Sequence, residues 1–181
     1  SVVPKLSNQI INYSKKYLHL IPTFITYNIV KDLVLDVENP HQVGTDRICN
    51  IIAARFLYKL PAIVVDMGTA TKYDVINKSG IFIGGIISPG IELSAKNLFN
   101  KAALLSKIPL KFPKTVIGKN TETNIQSGIM YGALDSINGM LHRIQQETKW
   151  KKCSVIVTGG FSELIKHKVK NNYIINSNLT L

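Results

Sequence analysis

The sequence predicts a mixed α/β fold with a three-strand meander at its middle. Three observations lead there. An apolar run over 62–65 ends on Asp66 and reads as a strand buried on both faces. Two further strand-like runs follow across the short turns Gly68-Thr69-Ala70-Thr71 and Lys78-Ser79-Gly80. Helical periodicity flanks the meander on both sides, and a last apolar run over 154–158 ends in Gly159-Gly160.

With 181 residues, the chain can bury a core and hold one domain or two small ones. No apolar run approaches the length needed to span a bilayer. The chain starts Ser-Val-Val-Pro, without an initiator Met or a signal-peptide pattern, and is expected to be the interior of a longer protein. Cys49 and Cys153 are far apart and are expected to be reduced core thiols, which favours the cytoplasm. A net charge of +11 invites a nucleic-acid reading. Yet the lysines are scattered. Their densest groups, Lys149-Trp150-Lys151-Lys152 and Lys166-His167-Lys168 with Lys170, fall near predicted helix ends, where cations complement the dipole. No nucleic-acid or membrane partner is expected, and the charge suits an anionic substrate such as ATP.

Taken in order, Ser7 caps a predicted helix over 8–20, with Ile10, Ile11, Ser14, Tyr17, Leu18 and Ile21 on one face and Pro22 as its stop. A short strand is expected over 23–27 and an extended piece over 33–37, and Asn39-Pro40 forces a turn. A helix opens at Gly44-Thr45-Asp46-Arg47 and runs to about Tyr58, its apolar side drawn from Ile48, Cys49, Ile52, Ala53, Phe56 and Leu57. Pro61 ends that segment. Strands over 62–66, 72–77 and 81–88 form the meander, and Pro89-Gly90 leads into a helix over 91–100. The stretch 108–115, with Pro109 and Pro113, is irregular. A long helix over 123–146 carries the stripe Ile125, Ile129, Gly132, Ala133, Ile137, Met140, Leu141 and Ile144. Gly128, Gly132 and Gly139 cost it about 1 kcal/mol each against Ala, and allow close packing on another helix. A strand over 154–158 and a short helix follow.

Two constellations could carry chemistry. Asp66, at the end of a buried strand, needs a partner: a metal ion, a pair of donors or water. Gly68 lets backbone approach a ligand, and Thr69 and Thr71 offer hydroxyl and N–H groups of the kind that hold phosphate. The plainer alternative is a hairpin with a polar turn. At Gly44-Thr45-Asp46-Arg47 a helix N-terminus favours anions, Arg47 can grip a carboxylate or phosphate with two bonds, and Asp46 can accept a proton from a hydroxyl. The plainer alternative there is that Thr45 caps the helix and Asp46 sits well on its dipole. Gly84-Gly85 and Ser88-Pro89-Gly90 let a ligand approach, or are a strand bend and a helix start. Gly118-Lys119-Asn120-Thr121 lacks the glycine-rich stretch of a Walker loop. Thr158-Gly159-Gly160 is similar to a nucleotide-base platform, or is a strand-to-helix turn. His19, His41, His142 and His167 share no metal-like spacing.

Asn39-Pro40, Gly44-Thr45-Asp46-Arg47, Asp66-Met67-Gly68-Thr69-Ala70-Thr71 with Asp74, and Gly84-Gly85-Ile86-Ile87-Ser88-Pro89-Gly90 come in that order. Gly118-Lys119-Asn120-Thr121, Gln126-Ser127-Gly128, Tyr131-Gly132, Thr158-Gly159-Gly160 and Leu179-Thr180-Leu181 follow. The series resembles the type III pantothenate kinases, of the acetate and sugar kinase/Hsp70/actin superfamily, over essentially the whole chain. The resemblance implies a ribonuclease H-like/actin-like ATPase fold: two similar subdomains of mixed sheet flanked by helices, the first one truncated. Residues 1–60 would be the remainder of the first and 61–181 the second.

The resemblance also implies ATP-dependent phosphorylation of pantothenate, the first step of coenzyme A synthesis. Asp46 would take the proton of the primary hydroxyl, and Gly44, Thr45, Asp46, Arg47 and Thr121 would bind pantothenate. Gly68, Thr69, Gly159 and Gly160 would bind ATP. Asp66 would hold a monovalent cation, potassium or ammonium, and magnesium is a further candidate ion. A homodimer is implied, with the helix carrying Gly128 and Gly132 as a contact.

The chain departs from the family pattern in three ways. It has no Asp-x-Gly-Asn-Thr phosphate loop, so either a piece of a longer kinase or a catalytically inactive remnant that binds nucleotide or dimerises is expected. Lys72 stands where the family has threonine, and is expected either to reach phosphate or to disturb the turn. Val37 replaces a tyrosine that lines the pantothenate pocket.

Overall fold

The computed structural model describes residues 4–30, 32–101, 108–166, 168 and 173–181. At its centre stands β1 (Ala62–Met67), buried at every position because strands flank it on both sides. β2 (Ala70–Ile76) pairs antiparallel with one edge, and β3 (Phe82–Pro89) pairs antiparallel with β2. On the other edge β4 (Ser154–Thr158) runs parallel to β1, followed by the short parallel β5 (Ile174–Ile175). The five-stranded order is therefore β3-β2-β1-β4-β5 with β2 alone reversed, the ribonuclease H-like arrangement. The meander is as the sequence predicts.

Alternation along β1 sorts the molecule into two layers. Ile63, Val65 and Met67 face α4 (Thr121–Thr148), in one core with Tyr73, Val75, Val155 and Val157. α3 (Ile91–Lys101) and α5 (Ser162–Ile165) contribute Ile91 and Ile165 to that side. Ala62 and Val64 face α2 (Thr45–Leu57), in a second core with Ile76, Phe82 and Ile156. Leu33 and Leu35 join the second core; Leu35 forms an isolated parallel bridge with Phe82, and the extended piece expected over 33–37 ends before Val37, which lies in a bend. Among the described residues no helix is long and apolar enough to cross a membrane.

Several elements differ from their sequence-based outlines. The first helix, α1 (Pro4–Tyr13), contains Ser7 instead of being capped by it, and widens into a π-type turn over Ser14–Leu18 that ends on left-handed His19. Residues 23–27 form no strand: among the described residues none pairs with them in a ladder, and the Ile25 carbonyl instead accepts a bond from the Thr45 hydroxyl, 3.2 Å. On α2 the buried side is Ile48, Asn50, Ile51 and Ala54, whereas Phe56 and Leu57 are 83% and 64% exposed. The i, i+3 spacing of Ile48, Ile51 and Ala54 sets the face, and Phe56 falls off it.

α4 is longer than predicted at both ends, and Asn120 and Thr123 cap each other at its start. Its inward stripe is displaced by one residue in the first half, to Gln126, Ser127, Met130 and Leu134. The polar pair explains the rotation. Gln126 Nε2 donates to the Pro109 carbonyl (2.9 Å) and Ser127 Oγ to the Val116 carbonyl, so both turn inward to tie down the preceding loop. Ile137, Leu141 and Ile144 keep their predicted places. Among the described residues nothing lies within 4 Å of where a Cβ would stand on Gly128, Gly132 or Gly139, so no helix packs closely on them there.

Candidate active site

Register places the chemistry. Asp66 pairs across β1–β2 with Lys72 and across β1–β4 with Thr158, and Val64 pairs with Asp74. By the period of two, Asp66, Lys72 and Asp74 all point to the layer of α2. Gly44 takes the N-cap position of α2 without a side-chain cap, and the first turn carries Asp46 and Arg47 over the same end of the sheet. Thr45 is inside the helix, so the capping role expected for its side chain is not the one it plays.

Lys72 Nζ donates to Asp46 Oδ2 and also reaches Asp66 Oδ2 at 2.8 Å. Arg47 Nε donates to Asp74 Oδ1 at 2.7 Å, with its guanidinium over the Phe82 ring. The three acids differ in access: the side chains of Asp46, Asp66 and Asp74 are 29%, 10% and 0% exposed. Burial works against the Asp46 carboxylate, but the hydrogen bond and charge of Lys72 outweigh it and hold the pKa below its ordinary value. Burial likewise works against the Lys72 ammonium, and Asp46 and Asp66 together hold its pKa above the ordinary value. Asp74, the most buried, is pushed up to about 6 by desolvation, which Arg47 only partly offsets. Burial and neighbouring Asp46 raise the Cys49 thiol, and both cysteines are free.

Glycines make room for this cluster. A Cβ on Gly85 would stand 2.1 Å from the Tyr73 carbonyl oxygen and 2.4 Å from an Arg47 nitrogen. Gly159, with φ +89°, lies against Asp66 and Met67, where a Cβ would come 2.7 Å from Asp66 Oδ1. Gly68 flanks the same carboxylate. Thr158 Oγ1 and Asp74 Oδ2 are buried beside it without a hydrogen-bond partner among the described residues.

The structure thus brings together Gly44, Asp46, Arg47, Asp66, Gly68 and Gly159. Thr69 is exposed at the tip of the β1–β2 turn, its carbonyl accepting from Gly90 N at 3.0 Å. Gly160 has open space around it. Thr121 is exposed in the first turn of α4 and shares no hydrogen bond with the cluster among the described residues. Gly44, Thr45 and Asp46 line a cavity of about 950 Å³, walled also by Phe24, Ile25 and His41. Arg47 lines a neighbouring one of about 550 Å³ with Val37, Asn39, Gly84 and Gly85. Sequence reasoning did not foresee the Arg47–Asp74 pair or the contacts of Lys72 with two carboxylates at once. The spacing of Lys72 and Asp74, two apart on a strand, was the available signal. Among the described residues no group of three His, Cys, Asp or Glu side chains is arranged to hold a metal ion, and His167 lies outside those residues.

Residues 1–143 match the model of the type III pantothenate kinase family. A type III pantothenate kinase from Agathobacter rectalis is 37% identical over 181 residues, all of this chain and 70% of that protein. One from Halalkalibacterium halodurans is 41% identical over 181 residues, again all of this chain and 71% of that protein. Among solved structures, a Campylobacter jejuni protein described as a Baf family transcriptional activator superposes with a TM-score of 0.61 at 20% identity. It covers 99% of this chain and 74% of that one, a likeness of fold.

Proposed function

The chain belongs to the type III pantothenate kinase family, and from that premise we propose how its residues transfer phosphate from ATP to pantothenate at the start of coenzyme A synthesis. One observation carries the assignment of roles: of the three clustered acids, only Asp46 lines the large cavity. Pantothenate lies there, its primary hydroxyl toward Asp46. The hydroxyl oxygen attacks the terminal phosphorus of ATP, the bond to the leaving ADP oxygen breaks, and Asp46 takes the hydroxyl proton. Lys72 fixes the Asp46 carboxylate by a hydrogen bond to its Oδ2, which leaves Oδ1 for the substrate hydroxyl. Gly44 and Thr45 contact pantothenate in this cavity, and Arg47, whose Nε is taken by Asp74, reaches it from the neighbouring cavity with its other guanidinium nitrogens. Gly68 and Thr69, with Gly159 and Gly160, form the ATP side, where close backbone approach lets N–H groups face phosphate. Thr121 is kept as a pantothenate contact on the strength of its motif alone.

Magnesium would be held by the ATP phosphates with few protein ligands, as this ion prefers. Asp66 does not fit a free monovalent cation in the same way, because Lys72 already engages its carboxylate. The working unit is a homodimer, supported by the open glycine face of α4, whose Gly128 and Gly132 line a groove of about 440 Å³ with Leu98 of α3. The free thiols support a cytoplasmic location.

The test is direct. The full-length protein, given ATP and pantothenate, is expected to form phosphopantothenate, read by mass spectrometry. Asp46→Asn is expected to cut turnover by roughly 10²–10⁴-fold with an unchanged circular dichroism spectrum. Full activity in that variant would remove Asp46 from its role.

A further inference from the structure

We propose that Lys72 is a built-in cation: its ammonium stands at Asp66 in place of a free monovalent ion, so the site takes up neither potassium nor ammonium. The argument begins with charge. Asp46, Asp66 and Asp74 bring three carboxylates to one end of one sheet face, and Arg47 is committed to Asp74. Asp46 and Asp66 therefore need a positive charge between them. Lys72 Nζ provides it, 2.8 Å from Asp66 Oδ2 and hydrogen-bonded to Asp46 Oδ2. The ammonium cannot drift away, because the Lys72 backbone is paired in register with Asp66 itself. A tethered ammonium reaches the carboxylate without the loss of translational freedom that a dissolved ion pays on binding. A second cation at Asp66 would meet the ammonium at close range and be repelled. The β1–β2 turn closes with lysine in place, Gly68 N donating to the Ala70 carbonyl at 3.2 Å. Lys72 is thus a positioning residue, holding Asp46 toward the cavity while neutralising Asp66.

The binding experiment does not depend on catalysis. Equilibrium dialysis against thallous ion, a potassium probe, is run at constant ionic strength with circular dichroism as the check on fold. Wild type is expected to bind no thallium that Asp66→Asn removes. Lys72→Thr is expected to gain a saturable site that Asp66→Asn in the same chain abolishes. Thallium bound by wild type and lost in Asp66→Asn overturns the proposal, as does a folded Lys72→Thr without a site. Should Lys72→Thr not fold, wild type alone decides. A saturable rise in melting temperature with potassium over choline overturns the proposal, and equal melting in both supports it. A kinetic arm rests on the kinase reading given above. Wild type is expected to form phosphopantothenate equally fast in choline and potassium. Lys72→Thr is expected to be slower in choline by on the order of 10²-fold and to recover in part with added ammonium. Absence of product with every ion would count against the kinase reading, while the thallium result would still decide the role of Lys72.

Discussion

Asp74 and Arg47 form an ion pair that water barely reaches, and its pH behaviour follows from that burial. The Asp74 carboxyl stands at about 6 in the folded protein against an ordinary 3.8, so the folded state holds this proton more tightly. Its contribution to stability is then complete below about pH 4 and is lost as the pH rises through about 6. Urea unfolding across that window should show a falling component in wild type that Asp74→Asn lacks; an identical slope in both would place the titration elsewhere. Asp46 works in the opposite sense, since its lowered pKa adds stability that disappears on acidification below about pH 4. Gly85→Ala should cost about 1–3 kcal/mol by the same urea measurement, because a Cβ there meets the Tyr73 carbonyl and Arg47 together. Asp46 and Asp66 were legible in the sequence, each being an acid at the edge of an apolar element. The pairing of Arg47 with Asp74 was not, because it needs the crossing of α2 over β2, a contact between residues 27 apart that no local pattern encodes.

At the scale of elements, α4 shows how polar anchors overrule an apolar stripe. Met130 is fully buried and Ile125 is not, although only Ile125 belongs to the stripe read from periodicity. Met130→Ala should cost about 2–5 kcal/mol and Ile125→Ala about 1 kcal/mol or less in thermal or denaturant unfolding. A reversed order would restore the stripe first read. Asn120→Ala removes the bond to Thr123 N (2.9 Å) and should cost about 1 kcal/mol. The β1, β2, β3 and β4 strands were legible because each is bounded by glycine, proline or polar turns and buries an apolar run. Residues 23–27 carry a similar composition, but strand formation needs a partner edge, and sequence does not say whether one is free.

For the whole molecule, the two layers differ in kind. The α4 side is a continuous apolar core, whereas the α2 side is apolar at one end and ionic at the other. A dimer through the glycine face of α4 would leave the ionic end clear of that face; sedimentation is expected to give a dimer for wild type and a monomer for Gly132→Glu. The division of the chain near residue 60 remains a proposal, and Ile48, Ile51 and Ala54 pack on Ala62 and Val64 across it. The register of β1 against β2 has a further consequence for how the chain finds its shape. Sliding β2 by one residue would turn Lys72 and Asp74 toward the apolar layer under α4 and strand Asp46, Asp66 and Arg47 without partners. An off-register hairpin would therefore have to dehydrate isolated charges, a penalty far larger than the difference between one apolar contact and another. The charges of the candidate site thus also fix the register of the β1–β2 hairpin, a structural duty separate from any they have in phosphoryl transfer.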